Sequence, residues 1–293
     1  ACCGQSAFPA MKIHVGDNWR VRFRGTAYHN TVQVDHKNQT RYEQGKRRFK
    51  IKGPEPDHEL KTFLTRPGFD FIHGVAKSHA YGAVHERRIF FALGEYWIVF
   101  DDLTSGETHD YDQRFHLSQH AFQKVKADFR DESIVVSSPH LLLAQPQEEG
   151  LNIYLEKGFV SLLYGEKSPA PVLRFSRRAG NAFFPTVLYP YKSHAPKLSL
   201  RRIPVFKEDG TPADRNAQAI SIHLEVMGTP SNDYCFAAPP GSTEVLNFGD
   251  WRYRGSYLFL RTDSTGRVTH LHTNPGAEIQ GKGISHALRK ETP

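Results

Sequence analysis

Cysteine and methionine are nearly missing from this chain of 293 residues, which has three of the first and two of the second. Cys2 and Cys3 are neighbours and Cys235 is remote, so there is no CxxC metal or redox pair and no disulfide framework. A single long-range bridge to Cys235 is the alternative to unpaired thiols. Long apolar runs are lacking too. The mean hydropathy is −0.54, and no stretch approaches the ~20 apolar residues of a membrane-spanning helix. The opening run ACCGQSAFPAMKIHVGD has no apolar signal-peptide core and does not begin with Met, so a mature product or a piece of something longer is expected. Helical periodicity is scarce. Its best instance, residues 119–128, offers Ala121, Phe122 and Val125 without a clear cap, and strand alternation fits it equally. Nothing repeats at a solenoid period. There is no G-x-S-x-G elbow, no phosphate-cradling glycine loop and no dinucleotide fingerprint. His85-Glu-Arg-Arg opens like a zinc-protease helix but lacks the second His and leads into a strand.

What is present is aromatic, basic and alternating. Twenty Phe, twelve Tyr and three Trp exclude a disordered chain. Thirty-eight basic against thirty-one acidic residues leave a net charge of +7, which suits a polyanion. Period-two patterns recur along the whole length. Arg20-Val-Arg-Phe-Arg24 reads as a strand with three arginines on one face, and Thr31–Asp35 alternates after it. Ile89–Leu93 and Tyr96–Phe100 flank Gly94-Glu95 as a hairpin. Leu151–Tyr164 reads as a second hairpin turning near Lys157-Gly158, and Trp251–Leu260 and Val268–His272 bracket a turn at residues 263–266. The pattern predicts an all-β protein with almost no helix, a large antiparallel β-sandwich spanning residues 1–293.

Several constellations are candidates for chemistry. Asp101 and Asp102 are adjacent on a strand, so they point to opposite faces and are read as turn caps rather than as an acid–base pair. There are sixteen histidines. His270 and His272 share a strand face, either as two metal ligands or as part of a solvated surface. His116 and His120 share a face only on a helix. Residues 41–52 carry Arg41, Lys46, Arg47, Arg48, Lys50 and Lys52, either a polyanion-facing lip or a solvated hairpin tip that protects an edge. Trp251 and the Tyr189-Pro-Tyr191 loop are candidate sugar platforms, against burial in a core. The densest stretch is Phe23–Asp35. There Tyr28 and His29, side chains able to move a proton near neutral pH, follow Arg20, Arg22 and Arg24. A buried, hydrogen-bonded His29 at a strand entry is the competing interpretation.

Arg24-Gly-Thr-Ala-Tyr-His-Asn-Thr-Val-Gln-Val-Asp35, with Gln39 following, resembles the R-x-T-x-x-H-N-T-φ-x-φ-D-x-x-x-Q signature of the heparinase II/III-like family. Tyr81–Phe91 looks like that family's H-x-R-x-φ strand, Tyr96–Leu103 like its y-w-φ-φ-φ-D strand, and His109–Leu117 like the segment after it. The match is strongest over residues 24–117. The resemblance implies a C-terminal β-sandwich that works beside an N-terminal α/α-toroid in a polysaccharide lyase. Such enzymes cleave uronic-acid polymers such as heparin, heparan sulfate or alginate by β-elimination. It implies catalytic roles for His29 and Tyr28, and contacts to an anionic polysaccharide from Arg20, Arg22, Arg24, Asn30 and Arg88. It also implies a structural zinc in an intact parent, with His29 as one ligand. The family's H-x-H-x-D motif does not occur in residues 1–23, where His14 stands alone. The chain by itself is therefore expected to lack the toroid and to be incompetent alone. A periplasmic or extracellular location follows from the substrate class. A non-catalytic sandwich that binds anionic polysaccharide is the alternative, and nucleic acid is not expected, because no nucleic-acid motif accompanies the dilute charge.

Overall fold

Period-two alternation builds twenty-three strands in the computed structural model, which describes residues 19–44, 49–51, 53–163 and 165–284. The first eight are β1 (Val32–Val34), β2 (Tyr42–Gln44), β3 (Phe49–Ile51), β4 (Asp57–Arg66), β5 (Phe69–Lys77), β6 (Val84–Ala92), β7 (Tyr96–Thr104) and β8 (His109–His116). There follow β9 (Lys126–Arg130), β10 (Ser133–Ser138), β11 (Leu141–Pro146), β12 (Asn152–Val160), β13 (Ser168–Ala179) and β14 (Ala182–Pro190). The last nine are β15 (Lys197–Ile203), β16 (Val205–Lys207), β17 (Gln218–Val226), β18 (Thr229–Ala237), β19 (Val245–Phe248), β20 (Trp251–Arg254), β21 (Tyr257–Asp263), β22 (Val268–Thr273) and β23 (Glu278–Gly281). Every pairing among them is antiparallel.

All the strands but β2 and β3, which pair as a separate two-stranded sheet, stack as four layers. An eight-stranded sheet, in the order β4-β5-β6-β7-β14-β11-β10-β9, has the four-stranded sheet β1-β8-β13-β12 on one face. On its other face lies the five-stranded sheet β15-β17-β18-β21-β22, itself backed by β16-β19-β20-β23. Three apolar cores fill the gaps. The first joins Phe71, Phe90, Ile98 and Phe100 to Ile220, Ile222 and Phe259. The second joins Leu103, Val136 and Phe184 to Tyr111, Phe115 and Phe175, and the third joins Phe236 and Leu258 to Phe248 and Trp251. Each such side chain taken fully from water stabilises the fold by about 1.5–3 kcal/mol. The layering explains why β7 is buried on both faces: Ile98 and Phe100 serve one core while Leu103 serves the other.

Several local expectations are corrected. Trp19–Arg24 is a short α-helix, α1, rather than a strand. Trp19 and Phe23 stand four residues apart, at helical spacing, and their rings pack 5.8 Å apart. The first hairpin turns through three residues rather than two, Leu93 to Glu95, with Ala92 paired to Tyr96 and positive φ at Leu93 (56°) and Gly94 (70°). Lys157-Gly158 is no turn, since β12 runs straight through it and β13 returns only from Ser168. A Cβ on Gly158 would lie 2.5 Å from Val172 Cγ2, so this glycine serves close strand approach. The run Trp251–Leu260 breaks at residues 255–256, and its halves join different sheets.

Other residues turn out to be interior. Tyr189 belongs to β14, is buried and stacks on Tyr96 at 5.4 Å, so it is no sugar platform. Trp251 is likewise buried. Cys235 is a free, buried thiol, and Cys2 and Cys3 lie outside the described residues. No helix among the described residues is long and apolar enough to cross a membrane.

Candidate functional site

The loop between α1 and β1 is fixed by its own signature residues. Asn38 Oδ1 accepts the Thr26 N–H at 2.9 Å. A Cβ on Gly25 would stand 2.9 Å from that same oxygen, so the close approach suits glycine. Thr26 Oγ1 accepts the Gln39 N–H at 2.7 Å, and Ser78 Oγ donates to the Gln39 carbonyl at 2.8 Å. Asp35 accepts from His109 Nδ1 at 2.8 Å and from the Asp110 N–H at 3.1 Å. Asn30 is held at two points: its Oδ1 accepts the His116 N–H at 2.8 Å, and its carbonyl accepts from Arg87 Nη1 at 2.7 Å. Thr26, Asn30 and Asp35 are thus occupied as framework, while Tyr28 and His29 keep their side chains at a half-buried edge.

Rings assemble around that edge. Tyr28 stacks on His116, centroids 5.5 Å apart at 25°, and meets Phe23 edge-on at 5.0 Å. Trp19 of the same helix packs edge-on against Phe159 of β12 at 4.9 Å. His116 Nε2 lies 2.9 Å from the Ala27 carbonyl and so holds the loop from below. Burial pushes the His29 imidazole below the usual histidine range, partly offset by a hydrogen bond to the Arg24 backbone. Burial raises the Tyr28 phenol, against a smaller opposing pull from the Arg22 charge. Near neutral pH the site therefore presents a neutral imidazole, able to accept a proton, beside a protonated phenol, able to donate one.

Behind the loop lies a polar node that the sequence reading missed. Asp101, 0% exposed, accepts from Arg87 Nε at 2.6 Å and Nη2 at 2.8 Å. It also pairs with His85 Nε2 at 2.6 Å and accepts from Gln113 Nε2 at 2.7 Å. Burial alone would raise its carboxyl, but the Arg87 charge and the paired His85 hold it well below the ordinary carboxylate range. Asp102 faces the other way and pairs with Arg215 Nη2 at 2.8 Å. The two aspartates do lie on opposite faces, but neither caps a turn. The hairpin register was the available signal, since a three-residue loop over 93–95 places Arg87 opposite Asp101.

The remaining candidates are dispersed. Arg88 is 1% exposed and bonds Glu86 through Nη2 at 2.8 Å, so its guanidinium is interior rather than on a substrate-facing surface. Arg22 lies over the Trp19 ring, 5.0 Å from its centroid. Arg20 and Arg24 complete the same helical turn. His270 is exposed, whereas His272 stacks flat on Phe69 at 4.6 Å, so the pair does not point jointly at an ion. Among the described residues no group of three or more His, Cys, Asp or Glu can hold a metal. His29 offers one ligand where zinc takes four, and the described residues around it do not fit the ion. His14 and most of the basic run at residues 41–52 fall outside the described residues, although β2 and β3 do pair as a hairpin.

Comparison with known proteins agrees with the architecture. The family profile described as heparinase II/III-like, C-terminal, matches residues 3–197, and the chain belongs to that family. Among solved structures, the heparan sulfate lyase HepC from Pedobacter heparinus is similar at 19% identity and a TM-score of 0.53, covering 74% of this chain and 32% of its own. The heparinase III BT4657 gene product is similar at 18% identity and a TM-score of 0.54, covering 72% and 31%. These likenesses concern the fold, and the chain spans about a third of the length of those structures. No curated protein matches the chain.

Proposed function

We propose that this chain is the β-sandwich part of a polysaccharide lyase that cleaves a uronic-acid-containing polymer, of the heparan sulfate or alginate kind, by β-elimination. The observation that carries this reading is the family match over residues 3–197. The names of the similar structures, heparan sulfate lyase and heparinase III, agree with it.

The reaction removes the proton at C5 of the uronate and expels the glycosidic oxygen at C4. That proton is weakly acidic, so a base must be placed and the charge developing on the carboxylate must be met by donors. His29, kept neutral by burial, is the base in this reading, and Tyr28, kept protonated, returns a proton to the departing oxygen. Arg20, Arg22 and Arg24 stand on the preceding helical turn, where they can meet the acid groups of the polymer. The rest of the cleft is assigned to a helical partner domain in the intact protein. The substrate class implies the periplasm or the cell exterior.

The test is to incubate the intact protein with alginate and with heparan sulfate and follow the absorbance of unsaturated uronate. Product that disappears in His29→Ala supports the reading. Binding without product would favour a carbohydrate-binding module instead, and tighter, salt-sensitive binding to duplex DNA would overturn both.

A further inference from the structure

A groove of about 350 Å³ opens on the face of β4, β5 and β6 that carries His85 and Arg87. Gly74 lies in its floor, in the interior of β5, and not in the left-handed region. A glycine inside a strand usually marks a bulge or the close approach of another group. No packed side chain demands this one: a Cβ there would meet only the Glu59 carbonyl oxygen, at 3.8 Å. The contrast with Gly158, whose missing side chain is replaced by Val172, is direct. At Gly74 the space a side chain would take belongs to the groove. Opposite it, the β4–β5 register shifts between Leu60 and Thr62, a bulge of the kind that re-aims an edge strand beside a site.

The polar groups around the groove are fixed from behind. His85 has a side chain 12% exposed, and its Nε2 is committed to the fully buried Asp101 at 2.6 Å. That leaves Nδ1 for an incoming group, on a ring whose orientation is set by the partner behind it. Arg87 is spent on Asp101 and on the Asn30 carbonyl, so it acts as a strut. Thr31 and Gln39 at the rim come from the loop that holds Tyr28 and His29. His58, also lining the groove, is fixed by its Nδ1 against the Pro56 carbonyl at 3.2 Å. The floor is aliphatic: Ile72, Ala76 and Ile89.

We propose that this groove is a binding subsite for one pyranose ring of the polymer, with the C–H face of the sugar on the aliphatic floor and a ring hydroxyl on His85. The volume lies in the range of small-ligand sites. Two imidazoles fixed by their partners, His85 on Asp101 and His58 on the Pro56 carbonyl, suit recognition of ring hydroxyls. This inference rests on the saccharide reading given above and extends it to a neighbouring residue of the chain, since the groove and the Tyr28–His29 loop share the segment Asn30–Thr31.

The experiment is calorimetric titration of the protein with a uronate tetrasaccharide, together with imidazole proton spectra of the same samples. The wild type binds and the His85 ring resonances move on saturation. Gly74→Val, which fills the groove, and His85→Gln, which retains a donor toward Asp101, each weaken binding at least tenfold while thermal unfolding confirms an intact fold. Unaltered binding in Gly74→Val, or His85 resonances that stay still in the saturated wild type, overturns the subsite. If the tetrasaccharide does not bind at all the subsite is also lost. Unsaturated product formed by the intact protein, abolished by His29→Ala, would in that case leave the lyase reading standing without it.

Discussion

Replacing Arg87 by methionine keeps the volume of the side chain and removes its charge. Asp101 then stays fully buried and loses the bonds at 2.6 and 2.8 Å, keeping only His85 and Gln113. Stranding one partner of a buried ion pair costs about 3–5 kcal/mol, and the Asn30 carbonyl loses its donor as well. Urea unfolding of Arg87→Met at neutral pH is expected to read a loss in that range. Adding Asp101→Leu removes the stranded charge, so the double variant should lose less than the two single variants combined, by roughly 0.5–3 kcal/mol of coupling. The pH dependence has a definite sign. Asp101 titrates lower in the fold than in the unfolded chain, so its contribution is complete above about pH 4 and fades as the pH falls through the folded value. Arg87→Met should therefore unfold at a higher pH than the wild type during acidification. A single variant within about 1 kcal/mol of wild type, or strictly additive costs in the double variant, would refute the claim that this node is a coupled unit.

Other parts of the fold make separate predictions. Gly158→Ala should cost about 1–3 kcal/mol by overpacking against Val172, read by urea unfolding, and Val172→Ala in the same chain should recover most of it. The His272 imidazole is pushed down to about 4, first by burial and then by the nearby His270 and Arg66 charges. Because the unfolded chain binds that proton near pH 6.5, stability should fall as the pH drops from 6.5 toward 4. Solvent screening at this half-buried ring keeps the loss to about 1–2 kcal/mol. His272→Phe, which preserves the stack on Phe69, should flatten that slope in melting curves recorded at pH 7 and pH 4.5. Asn30→Ala should cost about 1 kcal/mol by leaving the His116 N–H without its acceptor, and should speed hydrogen exchange at that amide.

The fold was legible because alternation is a local signal. The runs at Thr31–Asp35 and Val268–His272 needed no partner to be recognised as strands, and Val32–Val34 and Val268–Thr273 are strands. Failures came where a distant neighbour decides. Gly158 looks like a turn until Val172 is placed beside it, and Trp19–Arg24 alternates charge until Phe159 and Tyr28 give its two aromatics a common face. The Tyr28–His29 stretch stood out because it interrupts a pattern. The roles of Thr26, Asn30 and Asp35 as framework did not, since their partners Gln39, His116 and His109 lie up to 86 positions away. Arg88 attracted attention as a cation on a signature strand. Its neighbour Arg87, one residue earlier and so on the opposite face, is the one joined to the loop.

Whether bond cleavage at uronate proceeds without water separates elimination from hydrolysis. Mass analysis of the products formed by the intact protein from a uronate polymer in heavy-oxygen water measures this directly. Elimination predicts an unsaturated new non-reducing end and no solvent oxygen incorporated by the cleavage step, with both products lost in His29→Ala. Saturated ends carrying solvent oxygen, or undiminished cleavage in His29→Ala, would contradict it.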